Sequence, residues 1–204
     1  MRKMMLDLFA GFGGQSEAFI RDVEWDVLRI DNNKLLAEVP RMVIMDILDL
    51  DGTTLQPADM RIEYVHASPP CHEFSLGFHA PKAIASRKGE DYHPSTEHVQ
   101  IAKRIIDDLN PRYWSIENVR GSIKHLRPIL GEPALIVGPY VYWGRFPPID
   151  VEPEDIPNKS TKDKRHSPLR SNYRALIPYE LSNGFKRAMD AQRSLDDLGT
   201  AWRF

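Results

Sequence analysis

The stretch "KMMLDLFAGFGGQSEAF", residues 3–19, decides the predicted fold, because an apolar run passes through closely spaced glycines into a helical pattern. Gly11, Gly13 and Gly14 let the chain turn tightly and let a ligand approach the backbone where the helix begins. Asp31 ends the next apolar run, where a carboxylate can accept hydrogen bonds from a ribose hydroxyl pair. The pattern indicates a nucleotide-type cofactor site, although such turns are equally common without a ligand.

Two details refine this prediction. Phe9 and the missing third spaced glycine favour a cofactor other than a dinucleotide. Asp46 and Ile47 follow the third apolar run, where they could contact the amino group of an adenine. The alternative is that this pair is a solvated strand end. The candidate cofactor-binding residues, including those after the fourth apolar run, are Phe9, Ala10, Gly11, Gly13, Gly14, Asp31, Asn32, Asp46, Ile47, Ser68 and Pro69.

Short runs rich in Val, Ile, Leu and aromatic residues recur along the chain and alternate with helical patterns. They predict strands at residues 3–9, 24–30, 41–45, 62–68 and 113–118. Helices are predicted at 14–22, at 94–111 with Ser95 or Thr96 as N-cap, and at 177–195 with Pro178 in the first turn. This alternation predicts an α/β fold, a mainly parallel sheet with helices on both faces, in one domain over residues 1–204.

Composition narrows the setting of this domain. The 204 residues carry a formal net charge of -2, so overall charge does not indicate a polyanionic partner. The single cysteine excludes an internal disulfide, and glycines interrupt the N-terminal apolar run before it reaches the length of a signal peptide or membrane span. We therefore expect an intracellular, cytoplasmic protein without a membrane or metal site.

Two further strand ends carry candidate catalytic groups. Cys71 lies in "ASPPCHEFS", residues 67–75, where two prolines restrict the backbone and hold the sulfur in a reproducible place. A lone cysteine is more often a packing residue, but these neighbours are poor core material. Glu117, in "SIENV" at residues 115–119, ends the fifth strand at the same edge of the sheet, with a turn or helix cap as its alternative role.

The residues from about Met4 to Val119 resemble the cytosine-C5 DNA methyltransferases. The resemblance rests on "LDLFAGFGGQS", "SPPCHEFS" and "ENV", which occur in the family's order and at similar spacing. Ser68 and His72 replace the glycine and glutamine that family members usually have beside the Pro-Pro-Cys motif. The resemblance implies a Rossmann-like S-adenosylmethionine-dependent methyltransferase fold and S-adenosylmethionine as cofactor.

The resemblance also implies roles for three residues. Cys71 is expected to add to C6 of cytosine, which activates C5 for the methyl group, while Glu117 binds the N3 edge. The family's paired arginines are not evident, and Arg145 in "YVYWGRFP" is the candidate for that support. Because the target carbon is inaccessible within a stacked duplex, the base is expected to be flipped out.

Two long irregular stretches are predicted to contact duplex DNA. Residues 72–94 are expected to form a mobile active-site loop, and residues 147–174 a reduced loop in place of a target-recognition domain, as in a compact phage-type member. Solvated or disordered surface is the alternative for both stretches. The candidate nucleic-acid contacts are Ser75, Arg87, Lys88, Asn118, Lys162, Lys164, Arg165 and Arg170.

Other functions remain open at this stage. Tyr179 and Glu180 replace the Asn-Ser pair of the family's last motif, so a modified donor that transfers a different group is one alternative. The same chemistry on RNA is a second. A cofactor-binding or DNA-binding subunit without catalysis, working with a separate recognition partner, is the third, but both the thiol and the carboxylate are present.

Overall fold

A computed structural model of the protein describes residues 2–50, 55, 62–75, 80–157 and 166–200, with the backbone alone at residues 82 and 193–200. Its strands are β1 (Lys3–Leu8), β2 (Trp25–Asp31), β3 (Met42–Ile44), β4 (Ile62–Ala67), β5 (Tyr113–Val119), β6 (Leu135–Val137) and β7 (Tyr140–Arg145). Within these ranges they form one seven-stranded sheet in the order β3-β2-β1-β4-β5-β7-β6. The first five pair in parallel, whereas β7 runs antiparallel to β5 and β6.

The helices cover both faces of this sheet. They are α1 (Glu17–Ile20), α2 (Pro81–Lys88), α3 (Glu97–Leu109), α4 (Ile123–Leu130), α5 (Arg170–Ala175) and α6 (Tyr179–Thr200). Thr96 is the N-cap of α3, which ends at Asn110 in the left-handed conformation with φ of 41°. Pro178 lies just before α6 and accepts the first-turn hydrogen bond from the Ser182 amide. The predicted α/β fold with a mainly parallel sheet is confirmed.

Strand β1 is buried on both faces because alternate side chains enter two different cores. Leu6 and Leu8 pack with Ile105 of α3 on one face. Met5 packs with Phe19 of α1 and Phe185 of α6 on the other. The doubly covered sheet explains why the first strand is mainly apolar in the sequence.

Several elements were not predicted. Helix α2 lies inside the stretch 72–94, and α5 begins inside the stretch 147–174, so neither stretch is wholly irregular as predicted. The hairpin of β6 and β7, which turns through Gly138 with φ of 54°, was also missed, as was α4. No helix in the described ranges is long and apolar enough to cross a membrane.

Candidate active site

The carboxyl ends of β2, β1, β4 and β5 lie side by side at one edge of the sheet. A pocket of about 340 Å³ opens at this edge. It is lined by Asp7, Phe9, Ala10, Gly11, Phe12, Gly14, Gln15, Asp31, Asn32, Asn33, Ser68, Pro69, Pro70, Cys71, His72, Glu117, Ser171, Asn172, Ala175, Leu176 and Ile177. Eight predicted cofactor residues and the predicted pair Cys71 and Glu117 therefore meet around one cavity.

The glycine turn forms one wall of this pocket. Phe9 and Gly11 have positive φ angles of 55° and 56°, which turn the chain sharply away from β1. The Gly11 amide donates a hydrogen bond of 2.9 Å to Oδ2 of Asp31, and the Asn33 amide donates one of 2.9 Å to Oδ1. Each carboxylate oxygen keeps a lone pair that can accept a hydrogen bond from a ligand.

Gly13, also predicted to contact a ligand, is not among the residues that line the pocket. A Cβ atom at Gly13 would lie 2.2 Å from Nε of Arg29, whose side chain is 1% exposed. The Arg29 guanidinium donates hydrogen bonds to Oγ of Ser16 at 2.8 Å and to the Gly13 carbonyl at 3.1 Å. The absence of a side chain at Gly13 therefore makes room for a buried arginine beneath the turn.

Asp46 and Ile47 also lie outside the set of lining residues. The Asp46 carboxylate accepts hydrogen bonds from the Leu48 amide at 3.0 Å and from Nδ2 of Asn32 at 3.3 Å. Ile47 is 3% exposed and belongs to the apolar core beneath α3. The structure therefore connects Asp46 to the pocket through Asn32 and places Ile47 in the core.

The segment that carries Cys71 is held to both neighbouring strands. The Ser68 amide donates to the carbonyl of Leu8, and the Pro69 carbonyl accepts a 3.2 Å hydrogen bond from Nδ2 of Asn118. Asn118 is fully buried, so its side chain is not exposed to a nucleic acid in this structure. Its amide instead ties β5 to the Pro-Pro-Cys segment and so helps to position the sulfur.

The environment of Cys71 disfavours the thiolate. Burial raises the pKa of the thiol, and the nearby Glu117 carboxylate raises it further, because both disfavour a negative sulfur. A backbone hydrogen bond at Cys71 and the Arg174 guanidinium act in the opposite direction and lower this pKa. Arg174, in the last turn of α5, is therefore an arginine whose charge reaches the thiol.

Arg145 lies elsewhere. It pairs with Trp114 near the amino end of β5, because antiparallel β7 carries its last residue away from the pocket edge. Its guanidinium donates hydrogen bonds to the carbonyls of Pro111 at 2.6 Å and Arg112 at 3.1 Å. The structure therefore places Arg145, the predicted catalytic arginine, outside the pocket, with two backbone carbonyls as its partners.

Helix α5 and the turn after it form a wall of the pocket that the sequence did not indicate. Ser171 and Asn172 line the cavity from α5, and Ile177 lines it from the following turn. Asn33 donates a 3.4 Å hydrogen bond to Asn172. A Cβ atom at Gly14 would lie 2.4 Å from the Ile177 carbonyl, so this glycine permits close packing of the two walls.

Asp7 is another pocket residue that the sequence did not indicate. It is 1% exposed, lines the pocket and accepts a 2.5 Å hydrogen bond from Oγ of Ser16. Burial raises the pKa of its carboxyl group to about 7, although the hydrogen bond from Ser16 and the charge of Arg29 oppose the shift. Its position in the first strand gave it the appearance of a core residue.

The remaining predicted nucleic-acid contacts are partly described. Arg87 and Lys88 are exposed in the last turn of α2, Arg170 is exposed at the start of α5, and Ser75 is half-buried after the Cys71 turn. Lys162, Lys164 and Arg165 lie outside the described residues. Within the described part of the chain, no group of three His, Cys, Asp or Glu side chains is placed to hold a metal ion.

The family model for C-5 cytosine-specific DNA methylase matches residues 3–129, which is more than half of the 204-residue chain. The protein belongs to this family. The matched region contains the glycine turn, Cys71 and Glu117. Membership of the C-5 cytosine-specific DNA methylases implies S-adenosylmethionine as cofactor, which confirms that prediction.

The comparison with solved structures also finds methyltransferases that are similar to this chain. A protein described as a DNA modification methyltransferase encoded within an E. coli prophage matches with 19% identity and a TM-score of 0.46, covering 78% of this chain and 49% of that one. An S-adenosylmethionine-dependent methyltransferase of Listeria monocytogenes matches with 18% identity and a TM-score of 0.30, covering 58% and 48%. The chain thus spans about half the length of these structures. No curated protein matches the sequence.

Proposed function

We propose that the protein is a DNA (cytosine-5)-methyltransferase that acts through a covalent adduct between Cys71 and C6 of a flipped cytosine. The observation that carries the proposal is the meeting of Cys71, Glu117 and the glycine turn around one pocket of about 340 Å³. A nucleophile, a proton-carrying carboxyl group and a cofactor turn are the parts that this reaction needs. Family membership supports cytosine in DNA as the substrate.

The pocket has features that suit S-adenosylmethionine. Asp31 offers a carboxylate to the ribose hydroxyls, and Asn32 and Asn33 lie beside it. Gly11 brings a backbone without a side chain to the pocket wall, and the volume lies in the range of small-molecule sites. When bound, the cofactor supplies an electrophilic methyl group to carbon C5.

Cys71 supplies the activation of the base. C5 of cytosine is a weak nucleophile until the sulfur adds to C6 and the electron pair of the C5–C6 double bond moves towards C5 and N3. After C5 has gained its new substituent, its proton leaves, the C6–S bond breaks and the double bond reforms. The two prolines and the hydrogen bond from Asn118 to Pro69 hold the sulfur in place for the addition.

Protonation of Glu117 would assist both the cytosine ring and the Cys71 sulfur. When it carries a proton, it can donate that proton to N3 as negative charge builds in the ring. A protonated Glu117 also no longer raises the pKa of the Cys71 thiol, so the same proton favours formation of the thiolate. Arg174 adds a positive charge that favours the thiolate in either case.

Contacts to duplex DNA are proposed for exposed basic residues of α2 and α5. Arg87 and Lys88 of α2 follow the Cys71 turn in sequence, and Arg170 begins the helix that lines the pocket. Contacts of these residues with phosphates would provide affinity and salt dependence without sequence information. A flipped cytosine would then reach Cys71 and Glu117 from the open side of the pocket.

The proposal is tested with unmethylated duplex DNA of mixed sequence and S-adenosylmethionine, followed by digestion to nucleosides and mass spectrometry. We expect 5-methylcytosine with the native protein and none with Cys71→Ala, while Arg145→Gln serves as a control that retains activity. Structured RNA in place of DNA distinguishes the substrate. If the protein binds S-adenosylmethionine but produces no modified cytosine in DNA, the proposal is wrong.

A further inference from the structure

A chain of hydrogen bonds runs through the interior from Tyr142 to the pocket. The Tyr142 hydroxyl donates to Oε1 of Gln15 at 3.1 Å, and Nε2 of Gln15 donates to the Tyr64 hydroxyl oxygen at 3.3 Å. Oγ of Ser115 lies 2.7 Å from the Tyr64 hydroxyl and 2.7 Å from Nδ1 of His66. These side chains are at most 1% exposed, so each buried hydrogen needs an acceptor inside the protein.

This series of hydrogen bonds ends at Ser68, which lines the pocket three residues before the thiol of Cys71. Nε2 of His66 lies 2.8 Å from Oγ of Ser68. Within the described residues, His66 is the only side-chain partner of this hydroxyl.

The direction of the hydrogen bonds follows from Tyr142. Among the described residues, Gln15 is the only hydrogen-bond partner of the Tyr142 hydroxyl, so that hydroxyl must donate to the amide oxygen. The amide nitrogen then donates to Tyr64, whose own hydrogen goes to Ser115. Reversing the order would leave the buried Tyr142 hydrogen without an acceptor, which is costly.

The same donor-to-acceptor order continues through Ser115 and His66 to the pocket. Because Ser115 accepts from Tyr64, its own hydrogen finds an acceptor, among the residues that the structure describes, only at Nδ1 of His66. Burial lowers the pKa of His66 to about 3, so the ring is neutral and its single hydrogen sits on Nε2. That hydrogen is donated to Oγ of Ser68, which leaves the serine hydrogen directed to another acceptor.

We infer that Ser68 donates its hydroxyl hydrogen to an oxygen acceptor of the molecule bound in the pocket, and that His66 is the positioning residue that fixes this direction. The inference rests on the proposed function and adds a specificity contact to it. Two acceptors have the required chemistry, namely the carboxylate of the cofactor's amino-acid half and the carbonyl oxygen of the cytosine. A hydrogen bond to a charged acceptor contributes more than one to a neutral acceptor.

The direction is tested first by nitrogen-15 NMR of the full chain, with His66→Gln used to assign the signal. We expect a neutral ring with hydrogen on Nε2 and none on Nδ1, unchanged from neutral pH to about pH 5. A ring that carries its hydrogen on Nδ1 would make Ser68 a donor to His66 and would overturn the inference. This measurement requires neither cofactor nor activity.

The acceptor is tested by calorimetry with Ser68→Ala and, as the variant that keeps a hydroxyl, Ser68→Thr. If the acceptor is the carboxylate, Ser68→Ala weakens binding of S-adenosylhomocysteine about 10-fold or more, and Ser68→Thr restores much of it. Binding of 5′-methylthioadenosine, which has no carboxylate, stays unchanged. If the acceptor is the base, both dissociation constants stay unchanged and kcat/KM for DNA methylation falls about 3-fold to 10-fold.

The inference fails if Ser68→Ala changes none of these quantities in a protein whose urea unfolding curve matches that of the native chain. Failure of the proposed function looks different. In that case the native protein itself does not bind S-adenosylhomocysteine, or it binds without methylating DNA, whatever the residue at position 68. The NMR result then still decides the direction of the hydrogen bond between His66 and Ser68.

Discussion

The turn at Gly11 and Gly13 allows a prediction with an internal control. Both glycines have positive φ, 56° and 75°, so an alanine at either position adds backbone strain of about 1 kcal/mol. At Gly11 the new Cβ would lie 3.5 Å from Nδ2 of Asn172, which is an ordinary contact. At Gly13 it would lie 2.2 Å from Nε and 2.3 Å from Cζ of Arg29, a distance that requires the guanidinium to move.

Movement of Arg29 has a calculable cost. Its hydrogen bonds to Ser16 and to the Gly13 carbonyl would be lost together, at about 1.5–3 kcal/mol for each hydrogen bond from a charged group. With the strain included, we expect Gly13→Ala to lower the free energy of unfolding by about 4–7 kcal/mol and Gly11→Ala by about 1 kcal/mol. The loss expected for Gly13→Ala approaches the whole free energy of unfolding of an ordinary domain.

Urea unfolding followed by tryptophan fluorescence measures both variants, and S-adenosylhomocysteine binding is measured beside it. Because Gly11 lines the pocket and Gly13 does not, Gly11→Ala should weaken binding in a protein that stays folded, whereas Gly13→Ala acts through stability. The reasoning is refuted if Gly13→Ala is no more destabilising than Gly11→Ala.

Three further predictions concern charged groups. The pKa of Asp7 is raised from 3.8 to about 7, so between about pH 4 and pH 7 the folded state binds a proton that the unfolded state does not. The free energy of unfolding should therefore fall as the pH rises through this window, by up to about 4 kcal/mol. Asp7→Asn should abolish this part of the pH dependence. Arg174→Gln removes a charge that lowers the pKa of Cys71, so the rise of the methylation rate with pH should move to higher pH. Arg145→Gln loses two hydrogen bonds to backbone carbonyls and should reduce stability by about 1–3 kcal/mol while the methylation rate stays within about 3-fold of native.

Each of these has a control and a contradicting result. For Asp7, an unfolding free energy that depends on pH equally in the native chain and in Asp7→Asn contradicts the shifted pKa. For Arg174, the control is Arg187→Gln, another exposed arginine, and Arg174→Lys should retain the native profile. For Arg145, a loss of rate beyond about 100-fold at unchanged stability would show that this arginine does reach the reacting base.

Local patterns were sufficient for the first five strands and for much of the site. The runs that form β1, β2 and β4 are rich in buried apolar residues because the sheet is covered on both faces. The ends of such strands meet at one edge, so a glycine turn, Cys71 and Glu117 could be placed together from their order in the sequence.

Residues that depend on distant partners could not be predicted. Asn118 adjoins a catalytic candidate in sequence, yet its amide is buried against Pro69, 49 residues away. Asn172 meets Asn33 across 139 residues, and no local pattern marks that contact. The glycine at position 13 is required by the long side chain of Arg29 on the neighbouring strand, which occupies the space of a Cβ atom.

The misplacement of Arg145 has a topological cause. A sequence of alternating strands and helices predicts parallel neighbours, in which a strand's last residue lies at the ligand edge. Strand β7 follows a tight hairpin turn from β6 and enters the sheet beside β5 in the opposite direction. Its last residue therefore lies at the far edge, and the arginine whose charge reaches Cys71 comes instead from α5.

The central claim is that Cys71 forms a covalent bond to the cytosine, and duplex DNA containing 5-fluorocytosine tests it most directly. Fluorine at C5 cannot leave as a proton does, so the adduct formed in the presence of S-adenosylmethionine should persist through denaturing electrophoresis. We predict a stable complex whose protein-derived peptide carries the base on Cys71, and no complex with Cys71→Ala. A chain that binds the cofactor and the DNA but yields no adduct, or an adduct that persists in Cys71→Ala, would contradict the account.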